Sequence, residues 1–214
     1  MTENKAMLLK EKLQILLEEI QPNKDGSPTT DLQLDQTMVT QIEELTIQLE
    51  NCNPHPNCLV NAISLLEGNW LLLYSNAREI RSLSSLPWGL KLGKVYQVID
   101  ITNKQFFNLA FVKQSLGLIS GFVKVTASFE PSTEESGNNR INVYFDKRYL
   151  SIDRILNINT PQLNPFKIGS ANNPLGRVAT LDITYLDENF RIGRGGDGSL
   201  FILMKSDVIT DKKN

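Results

Sequence analysis

VATLDITYLDENFRIGRGGDGSLFILMK, residues 178–205, reads as three β-strands in meander order. Two short turns join them, Asp187-Glu188-Asn189 and Gly195-Gly196-Asp197-Gly198. Asp-Gly favours the positive φ angles of a tight hairpin, so the glycine run closes two strands. Working upstream, GNWLLLYS at 68–75 opens a strand with Gly-x-Trp, and Trp70, Leu72 and Tyr74 are expected to share one face. KVYQVID at 94–100 and QFFNLAFV at 105–112 follow, then clean alternation over 121–130 and again through Ile141, Val143 and Phe145. Residues 156–176 hold three prolines and several asparagines and read as an irregular loop. Eight or nine strands at this spacing indicate a sandwich or a barrel.

The first third of the chain has a different period. Ala6, Leu9, Leu13, Leu16 and Ile20 recur at three and four residues, predicting a helix over 3–20. Met38, Ile42, Leu45 and Leu49 predict a second over 35–50, and Leu59, Ile63 and Leu66 a short third over 57–66. These apolar stripes are read as core contacts. We expect a helical segment, 1–67, packed on a strand-rich body, 68–205, with a tail, 206–214, as one structural unit.

Charge narrows the function classes. With 22 basic and 24 acidic residues the chain lacks the basic excess of a nucleic-acid binder. No run approaches the ~18 apolar residues of a membrane-spanning helix. The N-terminus, MTENKAMLLKEKLQ, has no apolar signal core and is acidic for a transit peptide. We therefore expect an intracellular protein made without a targeting segment, or one whose segment was removed. The two cysteines flank the sole histidine in Cys52-Asn-Pro-His55-Pro-Asn-Cys58. Three soft ligands are too few for a closed zinc site, so a metal would need a fourth from elsewhere. The alternatives are a proline-rich loop with free thiols, or a disulfide.

Catalytic signals are weak. His55 lies in that loop and no Gly-x-Ser-x-Gly elbow occurs. The glycine run at 193–198 lies between strands and lacks the helix N-terminus of a phosphate cradle. Asp182 lies mid-strand and faces either solvent or a polar pocket, with Arg191 or Arg194 as partner. Those two arginines, three positions apart, face opposite sides of a regular strand. One is expected inside, meeting a carboxylate or stacking on Trp70 as the lid of one end, and the other solvated. LSSLPWGLKLG at 83–93 is apolar yet rich in turn residues, and SLGLISGF at 115–122 is similar. Leu83, Leu86, Trp88 and Leu90 form either a lid over the mouth or an exposed patch.

The chain resembles the plastid lipid-associated protein family, the PAP/fibrillins. The matching residues are Gly68-x-Trp70-x-Leu72-Leu73-Tyr74-Ser75, then Val95-Tyr96-Gln97-x-Ile99-Asp100, then Asn108. The closing match runs from Thr184-Tyr185-Leu186-Asp187-Glu188 through Arg191-Ile192-x-Arg194-Gly195 to Gly198-Ser199-Leu200-Phe201-Ile202-Leu203. The resemblance implies an α+β, mainly β fold: a lipocalin-like antiparallel β-barrel of eight or nine strands with N-terminal helices packed on it. It implies a non-enzymatic protein of thylakoids or lipid droplets that binds isoprenoids, quinones or carotenoids and serves photoprotection. The expected place is the cytoplasmic face of a cyanobacterial-type thylakoid membrane, or a plastid. Candidate ligand contacts are Trp70, Leu72, Tyr74, Trp88, Gln97, Asn108, Asp182, Tyr185, Arg191 and Arg194, with no catalytic residue, metal or cofactor. The expected partners are an apolar small molecule or lipid, a peripheral membrane or droplet surface, and a possible protein, without nucleic acid. The alternative is an interaction or structural factor with a side-chain-filled barrel. It would dock a lipid-metabolic enzyme or coat a lipid surface through 83–93 and the helices. An enzyme of lipid or tetrapyrrole metabolism is a third class, with no acid–base pair to support it.

Overall fold

The three-four spacing of Leu9, Leu13 and Leu16 produces helix α1, Thr2–Ile20. Asp35 starts α2, Gln36–Glu50, by accepting the Met38 amide at 2.9 Å. The third expected helix forms in two pieces, α3 (Cys58–Asn61) and a 3-10 turn (Ile63–Leu66), because Ala62 leaves helical geometry at φ −143°. A short helix not foreseen, α4 (Arg78–Leu83), follows the first strand. The structure, a computed structural model, describes residues 2–21, 25–83, 89–114, 116–133 and 138–211.

The strands are β1 (Gly68–Ser75), β2 (Leu90–Asp100), β3 (Gln105–Gln114), β4 (Ile119–Pro131) and β5 (Arg140–Ile155). They continue with β6 (Ile158–Asn159), β7 (Lys167–Ser170), β8 (Ala179–Leu186), β9 (Phe190–Gly195) and β10 (Leu200–Ser206). Every pairing between them is antiparallel. The order β4-β3-β2-β1-β10-β9-β8-β5 closes on itself through β4–β5, so eight strands form a ring. β6 and β7 hang on β5, in the 156–176 stretch read from sequence as irregular. The fold is thus mainly β, with ten strands among the described residues and helices at its N-terminus. At the closing seam, a Cβ on Gly121 would sit 2.0 Å from the Ser151 carbonyl oxygen, so only glycine lets β4 approach β5 there.

Two apolar clusters lie on the two faces of the sheet. Inside the ring, Trp70, Leu72, Val95, Ile99, Phe106, Phe129, Ile183 and Leu203 pack with Cys58 and Leu66. Outside it, α1 and α2 lay Leu9, Leu13, Leu17, Ile42 and Leu49 on Phe190, Ile192, Leu200 and Ile202 of β9 and β10. This arrangement corrects one expectation. Tyr74 does not share a face with Trp70 and Leu72: the β1–β10 register shifts between Leu72 and Tyr74. That bulge turns Tyr74 outward under the helices. A second shift, between Ile183 and Tyr185, turns Tyr185 the same way.

Candidate functional site

The interior site begins with a cross-strand row. Lys205 pairs with Trp70, Trp70 with Gln97, and Gln97 with Asn108, so one rung crosses β10, β1, β2 and β3. Directly opposed residues share a face. Trp70 is fully buried, and its indole Nε1–H donates to the Leu66 carbonyl at 2.8 Å. The 3-10 turn before β1 therefore anchors the indole. Gln97 Nε2 donates to Asn108 Oδ1 at 3.1 Å.

Two cations converge on Trp70. The Arg191 guanidinium lies 4.9 Å from the indole centre and Lys205 Nζ 4.5 Å. Lys205 Nζ also donates to the carbonyls of Leu65, at 2.9 Å, and Glu67. Arg191 is 3% exposed, and its one hydrogen-bond partner among the described residues is Gln97 Oε1. No described carboxylate lies within ion-pairing reach of it. Burial pulls the Arg191 pKa down to about 9. Burial, and then the Arg191 charge, also lower that of Lys205. The nearby Cys58 thiol is pushed up to about 11 by burial. A buried cation held by one neutral amide and an aromatic face is electrostatically expensive.

Arg191 and Gln97 border a cavity of about 20 Å³ walled by Leu66, Ile99, Phe106 and Ile183. That volume holds about one water. A larger hollow, about 490 Å³, lies over Gln36, Thr40 and Glu44, is lined by α2 alone and opens to solvent. It is a surface depression rather than a pocket.

The other sequence-predicted residues scatter. Leu72 joins the interior cluster. Arg194 faces outward as expected, but is ion-paired rather than solvated: it grips Glu50 through two bonds, at 2.7 and 2.9 Å, and Glu43 at 2.8 Å. The Glu50 bond raises its pKa further. Asp182 meets Arg140, at 2.7 and 3.0 Å, instead of Arg191 or Arg194. Tyr185 donates to Asp187 Oδ2 at 2.8 Å, and Lys10 of α1 reaches the same oxygen at 2.7 Å. Trp88 and Leu86 lie outside the described residues. Leu83 and Ile80 of α4 pack on the interior cluster, and Leu92 is buried in it, so the two ends of the 83–93 stretch face the ring. Cys52 and Cys58 are free thiols, one against the helix-side cluster and the other in the interior. Lys205 and Arg140 were missed because their importance depends on pairing: Lys205 matters by standing opposite Trp70, Arg140 by standing opposite Asp182.

The family profile described as PAP_fibrillin matches residues 9–204. Plastid-lipid-associated protein 6, chloroplastic, of Arabidopsis thaliana is 30% identical over 70% of this chain and 56% of its own length. Plastoglobulin-1, chloroplastic, of Pisum sativum is 31% identical over 77% of the chain and 54% of its own. A chromoplast-specific carotenoid-associated protein, C1, of an Oncidium hybrid cultivar is 28% identical over 77% of the chain and 61% of its own. The chain thus spans between half and two thirds of the length of these relatives.

Proposed function

Because this chain belongs to the PAP/fibrillin family, we propose that it is a non-enzymatic lipid-associated protein acting at the surface of a membrane or lipid body. In this reading its lipocalin-like ring is filled by its own side chains and serves as a scaffold. The plastid setting of the relatives supports a thylakoid membrane or a lipid droplet as the place of work. The observation that carries the reading is volume. Pockets for small apolar ligands start at about 300 Å³, whereas the space beside Arg191 is about 20 Å³. Extraction of the natively purified protein with organic solvent, followed by mass spectrometry, tests it. The expected result is no isoprenoid, quinone or carotenoid at one per chain. A stoichiometric ligand would overturn the packed-ring reading.

One observation favours a second reading, carriage of an apolar molecule with a polar head group and a photoprotective role through it. Arg191 and Gln97 place polar groups on an otherwise apolar wall, with Asn108 holding Gln97 from the side. A few such groups orient ligands in apolar pockets. Side chains around Phe106 and Ile183 would then have to part. Quenching of tryptophan emission by a long-chain quinone, lost in Arg191→Leu, would support carriage, and unchanged emission would sink it.

A further inference from the structure

Four of the large apolar residues that the fold leaves in water meet at one end of the ring. Leu116 and Leu118 stand in the β3–β4 turn, 78% and 40% exposed. Leu156 and Ile158 stand at the β5–β6 turn, 63% and 69% exposed. The two turns touch, since the Leu156 amide donates to the Leu118 carbonyl at 2.7 Å. Phe166 and Ile168 are also exposed, farther back along β5, where the Phe166 amide bonds the Leu150 carbonyl and Ile168 pairs with Tyr149. Isolated exposed leucines need no explanation, but a contiguous group does.

The backbone adds a second sign. The β5–β6 hairpin turns through Leu156 and Asn157 at φ 50° and 64°. Such left-handed positions favour glycine and asparagine, and a bulky side chain there is strained. The chain therefore holds a leucine, at a conformational cost, where it projects into solvent.

Below the tips runs a basic rung. Lys91 pairs with Lys113, Lys113 with Ser120, and Ser120 with Arg154. Lysines directly opposed across strands repel. None of Lys91, Lys113 and Arg154 has an ion-pair partner among the described residues. Asp25, whose carboxyl feels Lys113, and Asp153, which accepts from Ser120 at 3.2 Å, offset the charge only in part. Arg154 lies two residues from Leu156 and Ser120 two from Leu118, so the rung sits roughly 7 Å behind the tips. That is about the depth at which interfacial proteins bury apolar side chains beneath head groups. The charge of the whole molecule runs the same way. Residues 1–67 carry four basic and eleven acidic side chains, net −7, and residues 68–214 carry eighteen and thirteen, net +5. The acidic helices cover β9 and β10, on the side of the ring away from β3 and β4.

We propose that the chain docks end-on to an anionic lipid surface, with Leu116, Leu118, Leu156 and Ile158 entering the lipid and Lys91, Lys113 and Arg154 meeting the charged head groups. This rests on the lipid-surface reading above and adds the face and the lipid charge. Cosedimentation with vesicles tests it, using phosphatidylcholine alone and phosphatidylcholine mixed with phosphatidylglycerol. The wild-type protein should favour the anionic vesicles, and added salt should release it. Lys113→Gln and Arg154→Gln should each weaken that binding about fivefold. The pair Leu116→Ser with Leu156→Asn should weaken it at least about tenfold. Leu156→Asn should also raise the melting temperature, because asparagine suits the left-handed turn, which separates lost docking from lost folding. Leu8→Ser with Ile15→Ser, on the exposed side of α1, should bind as wild type. Tip variants that bind normally, or equal binding to both vesicles, would overturn the docking face while leaving lipid association standing. A wild-type protein that ignores both vesicles would overturn both readings and point to a protein partner for the patch.

Discussion

The wall of the ring under the helices and the end formed by β3, β4 and β5 treat the same kinds of residue in opposite ways. On β9 and β10 the outward residues Phe190, Ile192, Leu200 and Ile202 are covered by α1 and α2, and Arg194 is clamped by two glutamates. At the β3–β4 and β5–β6 turns leucines stand in water, and Lys91, Lys113 and Arg154 behind them have no ion-pair partner among the described residues. One region has its apolar and charged groups satisfied within the chain, and the other leaves both for something outside it. The difference separates what stabilises the molecule from what it offers to a surface.

The largest effect should come from the interior beneath the covered wall. Trp70→Ala removes an indole in contact with two cations and bonded to Leu66, and should cost about 3–5 kcal/mol. Chemical denaturation reads this, and a loss below about 1 kcal/mol would mean the interior packing around Trp70 contributes little to stability. Next is the seam between helix and ring. Glu50→Ala leaves Arg194 with Glu43 alone and strips an acceptor from the Thr184 hydroxyl, 2.5 Å away. A cost of about 1–3 kcal/mol is expected for charge-assisted bonds, measured the same way. An unchanged midpoint would mean the helical layer is held by its apolar face alone.

Acid should open the same seam at a second point. Burial would raise the Asp187 pKa, but Lys10, the Asn189 amide and the Tyr185 hydroxyl together hold it below 3.8. A depressed carboxylate pKa contributes stability that is complete above the unfolded value near 3.8. That contribution fades as pH falls through the lower folded value. Wild type should therefore lose stability below about pH 4 more steeply than Asp187→Asn, in melting curves across that range. Parallel curves would remove Asp187 from the seam. The smallest effect, and of opposite sign, belongs to the uncovered end. Leu156→Asn should stabilise by about 0.5–1 kcal/mol by relieving the turn. A loss of stability would mean Leu156 packs within the chain, and the contrast between the two regions would weaken.

Much of this was legible in the residues. Period three-four at the N-terminus and period two after Gly68 marked the helices and the main strands, and the glycine-rich run at 193–198 marked a hairpin. That one arginine of the closing strands would lie over Trp70 followed from spacing and chemistry; that it is Arg191 and not Arg194 did not. What escaped was set by pairing. The bulges that turn Tyr74 and Tyr185 outward leave no local signature, because one extra residue reverses parity downstream. β6 and β7 are short, wholly exposed strands paired to β5, without the alternation that burial imposes. Asp182 and Arg140 pair across 42 positions, beyond the reach of local reading. The segment 115–122 stood out in sequence as apolar and turn-rich, but its neighbour at the β5–β6 turn became visible only once the two met.

The central claim is that this protein works through one end of its exterior and not through its interior. Backbone hydrogen exchange, with and without vesicles containing phosphatidylglycerol, tests that directly. The account predicts added protection at amides in 116–120 and 153–158, with those of α1, α2 and the strands around Trp70 unchanged. Protection changes confined to the interior strands around Trp70, Gln97 and Asn108, with the turns unaffected, would contradict it.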